Sequence, residues 1–150
     1  MNLASAKYLR LMESRLELLR SLIHTEGEWR RAFIASNLRD SEHLSADQEL
    51  ICARIRTLDN EISSLHAMVR GAGSATSSEV DPVIDRGIQV AVAQMATLHL
   101  DLKQSNQVKQ AILRRSKFTI NALQNLFNSH APTYAAPAAP STGTIYEENV

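Results

Sequence analysis

The chain has 150 residues, a length that suits one domain, and its 16 Lys and Arg balance its 16 Asp and Glu. Without net charge it has no broad field to hold nucleic acid or an anionic membrane, so neither is expected as a partner. The single cysteine, Cys52, excludes a disulfide framework and a multi-cysteine zinc site, and fits a reducing compartment. Apolar runs are too short for a membrane span, and charges interrupt the start where a signal peptide would be apolar. We therefore expect a cytoplasmic protein without stable membrane insertion.

Turn signals are scarce along most of the chain. There are five glycines and four prolines, and residues 4–70 and 83–130 contain only Gly27 and Gly87 as candidate breaks. A β-sandwich or barrel would need turns every ~8–12 residues. The sequence predicts an all-α protein, an elongated up-and-down bundle of three long antiparallel helices over residues 4–37, 43–70 and 82–130. The alternative is that the first two helices join into one rod.

The first predicted helix carries two adjoining apolar stripes, which make a face broad enough to touch two neighbouring helices. The stripes consist of Leu9, Met12, Leu16, Leu19 and Ile23, and of Leu11, Leu18, Leu22, Trp29 and Phe33. We therefore expect this helix to be central. The periodicity lapses between residues 37 and 45, and Ser45 with Gln48 is typical of a capping box that opens the second helix.

The second predicted helix has the most regular seam, made by Ile51, Ile55, Leu58, Ile62, Leu65 and Val69 at alternating spacings of four and three. The sequence Gly71-Ala72-Gly73 and the serine-rich loop after it predict a chain reversal. Asp81 and Pro82 then have the residue types preferred at a helix N-cap and first turn.

The third predicted helix would be roughly 70 Å long at ~1.5 Å per residue, so we expect part of it to extend beyond the second. Its seam is polar at Ser105 and Lys109 and then becomes a wider apolar face, formed by Ile112, Leu113, Ile120, Leu123, Leu126 and Phe127. This face could be bundle core. The polar interruption and the shortage of matching helix instead favour a surface that binds a helix of another protein.

Catalytic and metal-binding patterns are missing from the sequence. The five histidines fall in no metal or haem motif, and no phosphate-binding loop or nucleophile elbow occurs. We expect no enzyme activity, no cofactor and no metal. His66 and His99 could meet across the bundle, although boundary positions explain both. The basic residues Arg114, Arg115 and Lys117 are expected to form a solvated face.

The residues from 131 to 150 hold three prolines and few core formers, which predicts a flexible Pro/Ala-rich tail after a helical bundle at 1–130. Tyr134 and Tyr146 lie in this tail with nothing local to pack on. Either could serve as an aromatic anchor for another protein, or simply be exposed.

Several of these features together resemble the FlgN-type flagellar export chaperones. They are Leu18-Leu19 in a long charged helix, Glu49-Leu50-Ile51 through Ile55 and Leu58, then Leu102, Asn106, Ala111-Ile112-Leu113, Ile120, Leu123 and Leu126-Phe127, and finally Thr133-Tyr134 before a tail with Gly143. The similarity covers residues 5–143. Two departures are Val108-Lys109-Gln110, where the family often has a second asparagine, and Ala135-Ala136-Pro137, where a glycine commonly follows the tyrosine.

The resemblance implies a cytoplasmic type III export chaperone that binds the C-terminal helical segments of hook-filament junction proteins and delivers them to the export gate. It assigns capture of these proteins to Ile112, Leu113, Ile120, Leu123 and Phe127, and gate contact to Tyr134. Two other functions stay open from the sequence. One is a generic coiled-coil adaptor or scaffold that self-associates through the second helix, and the other is a different secretion chaperone.

Overall fold

The computed structural model of the protein describes residues 3–71 and 81–130, which form three α-helices and, over that part of the chain, no strand. The helices are α1 at Leu3–Ile34, α2 at Leu38–Gly71 and α3 at Pro82–His130. The expected all-α fold of three long helices is confirmed. The predicted loop at 72–80 and the predicted tail at 131–150 lie outside the described residues. The chain divides into two units, Met1–Gln110 and Ala111–Val150, which are treated separately below.

A tight turn separates α1 from α2, so the single rod is wrong. The turn is a Schellman-type helix end, in which the Asn37 amide donates to the Ala32 carbonyl at 2.9 Å and the Ser36 amide to the Phe33 carbonyl at 3.0 Å. Ser36 has a φ of 59°, the left-handed conformation that this motif requires and that glycine adopts most easily.

The second helix begins five residues earlier than the expected residue 43, because its N-cap is Asn37. The Asn37 side-chain carbonyl accepts the Asp40 amide at 3.2 Å, and the Asn37 amide group donates to the Asp40 carboxylate at 2.5 Å. The expected capping box at Ser45 and Gln48 is wrong. Ser45 lies within α2, where its hydroxyl donates to the Ser41 carbonyl at 2.9 Å.

The start of α3 follows the sequence pattern closely. The Asp81 carboxylate accepts the Val83 amide at 2.9 Å, so Asp81 caps the helix and Pro82 occupies its first turn. Asp85 also lies in the first turn, and its carboxylate accepts a hydrogen bond from the Gln89 side chain at 3.0 Å.

The first unit is an up-down-up bundle whose core centres on α1. Contacts between α1 and α2 run in opposite directions along the two helices, from Tyr8 with His66 to Arg15 with Asp59, so these helices are antiparallel. Contacts between α1 and α3 run in the same direction, from Leu9 near Gly87 to Arg30 with Ser105, so these helices are parallel. Among residues 3–71 and 81–130, five of the eight buried apolar residues belong to α1, which confirms its central position. The eight are Met12, Leu16, Leu19, Leu22, Trp29, Ile84, Ala91 and Met95.

The α2 seam packs against this core from one side and is only half-buried. Ile55 and Ile62 pack against the central cluster formed by α1 and α3, and Leu58 lies between them on the same seam. The side chain of Val69 is outside the described residues. The other two helices cover α2 on one side only, so part of each described seam side chain remains exposed to water.

Neither of the two glycines predicted as candidate breaks interrupts its helix. Gly27 lies within α1, where an added Cβ would meet nothing within 4 Å. Gly87 lies within α3, and a Cβ there would stand 3.0 Å from a methyl carbon of Leu9. The missing side chain at Gly87 therefore lets α3 approach α1 closely, whereas nothing in the packing requires a glycine at position 27.

Candidate partner-binding site

The two polar positions of the α3 seam, Ser105 and Lys109, pack against the other helices. Ser105 accepts a hydrogen bond from the Arg30 guanidinium at 3.0 Å, and the Lys109 ammonium donates to the Gln48 side-chain carbonyl at 2.5 Å. The same ammonium lies over the Trp29 ring, 4.6 Å from its centroid. The interruption expected from the sequence is therefore a polar layer of the packed bundle, and the first unit stays paired nearly to its end at Gln110.

This polar layer contains buried groups that are only partly paired. Glu26 and Gln48 are both more than nine-tenths buried, and within the described residues no partner is found for Glu26 Oε2, Gln48 Nε2 or Arg30 Nε. Glu26, Gln48 and Lys109 line a cleft of about 470 Å³. Because an unpaired buried polar group costs about 1–3 kcal/mol, the layer holds α3 less firmly than an apolar seam would.

Beyond the polar layer, the apolar residues of the second unit are exposed. We define the α3 face as Ile112, Leu113, Ile120, Leu123, Leu126 and Phe127. Ile112 is half-buried, whereas the other five side chains are between 44% exposed, at Leu113, and 75% exposed, at Phe127. Every side chain from Leu113 to Ser129 is exposed except that of Ser116. Of the two expectations for this face, exposed surface agrees with these values and bundle core does not.

The spacing of these residues gathers them on one side of the helix. At 3.6 residues per turn they fall within a sector of about 140°, which is the width of a face that packs on one or two other helices. The face runs for roughly 22 Å between positions 112 and 127 at ~1.5 Å per residue. Exposed aliphatic and aromatic side chains in a continuous stripe can bind the apolar face of an amphipathic helix.

One exposed aromatic residue of α3 was not predicted from the sequence. Phe118 is 75% exposed and, by helical geometry, lies on the side opposite the α3 face. Its position next to Lys117 and away from the apolar seam could have indicated from the sequence that Phe118 is exposed.

The proposed anchor residues Tyr134 and Tyr146 lie outside the described residues, so their roles stay predictions.

The remaining candidates for chemistry are dispersed through the first unit. His66 lies against the Tyr8 ring at 4.9 Å, whereas His99 lies beside Arg15, with 3.5 Å between the two side-chain nitrogens. The two histidines therefore contact different residues. Cys52 is a half-buried free thiol that lines the cleft of the polar layer. In the described part of the chain, no three His, Cys, Asp or Glu side chains are grouped to hold a metal ion.

Comparison with known proteins adds no family assignment. No protein-family model, no curated protein and no solved structure matches the chain. Within residues 3–71 and 81–130, no helix is long and apolar enough to cross a membrane.

Proposed function

We propose that the protein is a flagellar type III export chaperone that binds the C-terminal helical segments of hook-filament junction proteins and delivers them to the export gate. The observation that carries this proposal is the exposure of the α3 face, whose large apolar side chains are 44–75% exposed between Leu113 and Phe127. The choice of junction proteins as substrate rests on the resemblance of residues 5–143 to FlgN-type chaperones.

A chaperone of this kind requires a stable body and a separate surface for its substrate. The first unit supplies the body, because its central cluster is formed by residues of α1 and α3 with α2 packed against it. The α3 face can shield the apolar stripe of a helix that would otherwise aggregate or assemble early. Binding by apolar contact also needs no catalytic group.

A self-associating scaffold is less well supported than a chaperone. That function was expected to use the α2 seam, but Ile55 and Ile62 of this seam already pack against the core of their own chain. The exposed apolar surface with continuous helical spacing lies on α3 instead. Light scattering distinguishes the two functions, since the proposal expects a monomer that forms a 1:1 complex with a junction protein.

The first experiment tests capture through the double variant Leu123→Ser/Phe127→Ser. Both side chains are at least half exposed, so their loss should remove apolar contact with the substrate and leave the first unit intact. We expect pulldown of a purified junction protein to fail while the melting temperature changes by less than about 2 °C. A matched control is Leu100→Ser, which replaces an exposed α3 leucine in the first unit.

The second experiment tests delivery through Tyr134→Ala, with Tyr146→Ala as the matched control in the same segment. An exposed aromatic anchor can carry much of a small, reversible interface, so its loss should weaken export-gate binding and swimming motility. Substrate binding should be retained. Unimpaired motility and gate binding in Tyr134→Ala would restrict the function to substrate capture.

A further inference from the structure

The charges of the second unit all have the same sign within its described residues. Arg114, Arg115 and Lys117 are exposed, and residues 111–129 contain no aspartate or glutamate. Among the described residues, none of the three cations forms an ion pair. In the first unit some cations pair with carboxylates, as Arg15 does with Asp59 and Arg31 with Glu28. Ion pairing within the described residues therefore does not explain why three cations lie beside the exposed α3 face.

The helix dipole does not supply that explanation. Its effect falls off within the last turn of a helix, whereas Lys117 lies more than three turns before the end of α3 at His130. The cations are therefore not stabilising contacts for the end of their own helix.

The positions of two of these cations relate them to the α3 face. At about 100° per residue, Arg115 lies about 20° outside the Leu126 edge of the face, and Lys117 about 40° outside the Leu113 edge. The face is thus bordered by a cation on each side near its beginning. From Phe118 to Ser129 the polar residues are Asn, Gln, Ser and Thr, so the far end of the face has no charged border.

We propose, on the basis of the function proposed above, that the α3 face binds an amphipathic helix whose apolar stripe is bordered on both sides by carboxylates at one end. When two helices pack, charges beside the apolar contact select the partner and its orientation. Opposite charges attract across the edges of the contact and like charges repel. The end of the partner that carries the carboxylates lies beside Arg115 and Lys117. The opposite end packs near Phe127 through apolar contacts alone.

An anionic lipid surface is the other binding partner for a basic amphipathic helix. A helix that lies in a membrane interface usually carries Lys and Arg along its polar side. Between residues 111 and 129 the cations are confined to positions 114–117, and the polar side chains beyond them are uncharged. This distribution favours a protein helix with localised carboxylates.

The experiment uses two labelled peptides of about three heptads, both with leucine at the a and d positions and glutamine elsewhere. One carries glutamate at the e and g positions of its first two heptads, and the other carries lysine there. Fluorescence anisotropy with the full chain at low salt should show that the glutamate peptide binds about tenfold more tightly than the lysine peptide. A difference of this size is what a few exposed ion pairs provide. The difference should shrink as salt screens the charges.

A charge-reversed variant provides the decisive comparison. Arg115→Glu/Lys117→Glu should bind the lysine peptide more tightly than the glutamate peptide, whereas the control Lys103→Glu, an exposed position on the same helix, should keep the original preference. Circular dichroism checks that each variant is folded. Vesicles of phosphatidylcholine with and without phosphatidylglycerol are tested in parallel with the wild type and the charge-reversed variant.

The outcomes separate this inference from the proposed function. Equal affinity of the wild type for both peptides would overturn the charge inference and leave the α3 face as a docking surface. Failure of the folded protein to bind either peptide would contradict both proposals. Binding to phosphatidylglycerol vesicles that is lost in the charge-reversed variant would assign the cations to a membrane surface and overturn the inference.

Discussion

The polar layer of the bundle makes a quantitative prediction about Lys109. Replacing Lys109 with methionine keeps the apolar stem but removes the ammonium that donates to Gln48 at 2.5 Å and lies 4.6 Å from the centroid of the Trp29 ring. Loss of the cation–π contact costs about 0.5–1 kcal/mol. Gln48 is only 6% exposed, so its unpaired carbonyl adds about 1–3 kcal/mol, which the better burial of methionine partly offsets. We expect a net loss of about 1–3 kcal/mol.

Urea unfolding followed by circular dichroism measures this loss, with Lys103→Met as the control at an exposed position of α3. The double variant Lys109→Met/Gln48→Leu should recover most of the lost stability, because replacing both partners leaves no unpaired carbonyl. If Lys109→Met changes the free energy of unfolding by no more than Lys103→Met does, the polar layer contributes nothing to the packing of α3. A double variant less stable than Lys109→Met would show that the penalty does not arise at Gln48.

Two further predictions concern local backbone conformation and are checked by thermal unfolding. Ser36→Gly should raise stability by about 0.5–1 kcal/mol, because glycine adopts the positive φ at the α1 end without strain; an unchanged or lower melting temperature would contradict this. Gly27→Ala should also stabilise by about 1 kcal/mol, since alanine favours the helix and its Cβ meets no neighbour. Gly87→Ala should raise the free energy of unfolding by less, because Leu9 must shift to make room for the new Cβ. Equal stabilisation by the two substitutions would refute the close approach of α3 to α1.

The three helices could be predicted because apolar residues recur at helical spacing along segments with few turn residues. Ile84, Ala91 and Met95 show this spacing on α3 and are buried, and Asp81 with Pro82 marks the start of the helix. The α1–α2 turn was placed too late in the chain. The turn is made by Ser36 in the left-handed conformation, where glycine is the usual residue, so the sequence gives little indication of it. Ser45 resembled a helix N-cap instead, but its hydroxyl bonds to the Ser41 carbonyl within α2.

The polar layer could not be predicted from periodicity, because hydropathy treats Ser105 and Lys109 as breaks in the seam. Their contacts depend on Arg30, Gln48 and Trp29, which lie on two other helices and are more than 50 residues away in sequence. By contrast, the apolar composition of the α3 face was visible at once. Its spacing would also suit a buried core, so its exposure was predicted from the polar interruption and the shortage of matching helix; the interruption itself proves to be a packed layer.

Hydrogen–deuterium exchange of the full chain, with and without a purified junction protein, tests substrate capture by the α3 face most directly. Amides at the end of an exposed helix exchange through local opening, so a bound partner helix should slow exchange over residues 112–127 and leave the α2 seam at 51–65 unchanged. Slower exchange at 51–65 without any change at 112–127 would place the partner on α2 and contradict the function proposed for α3.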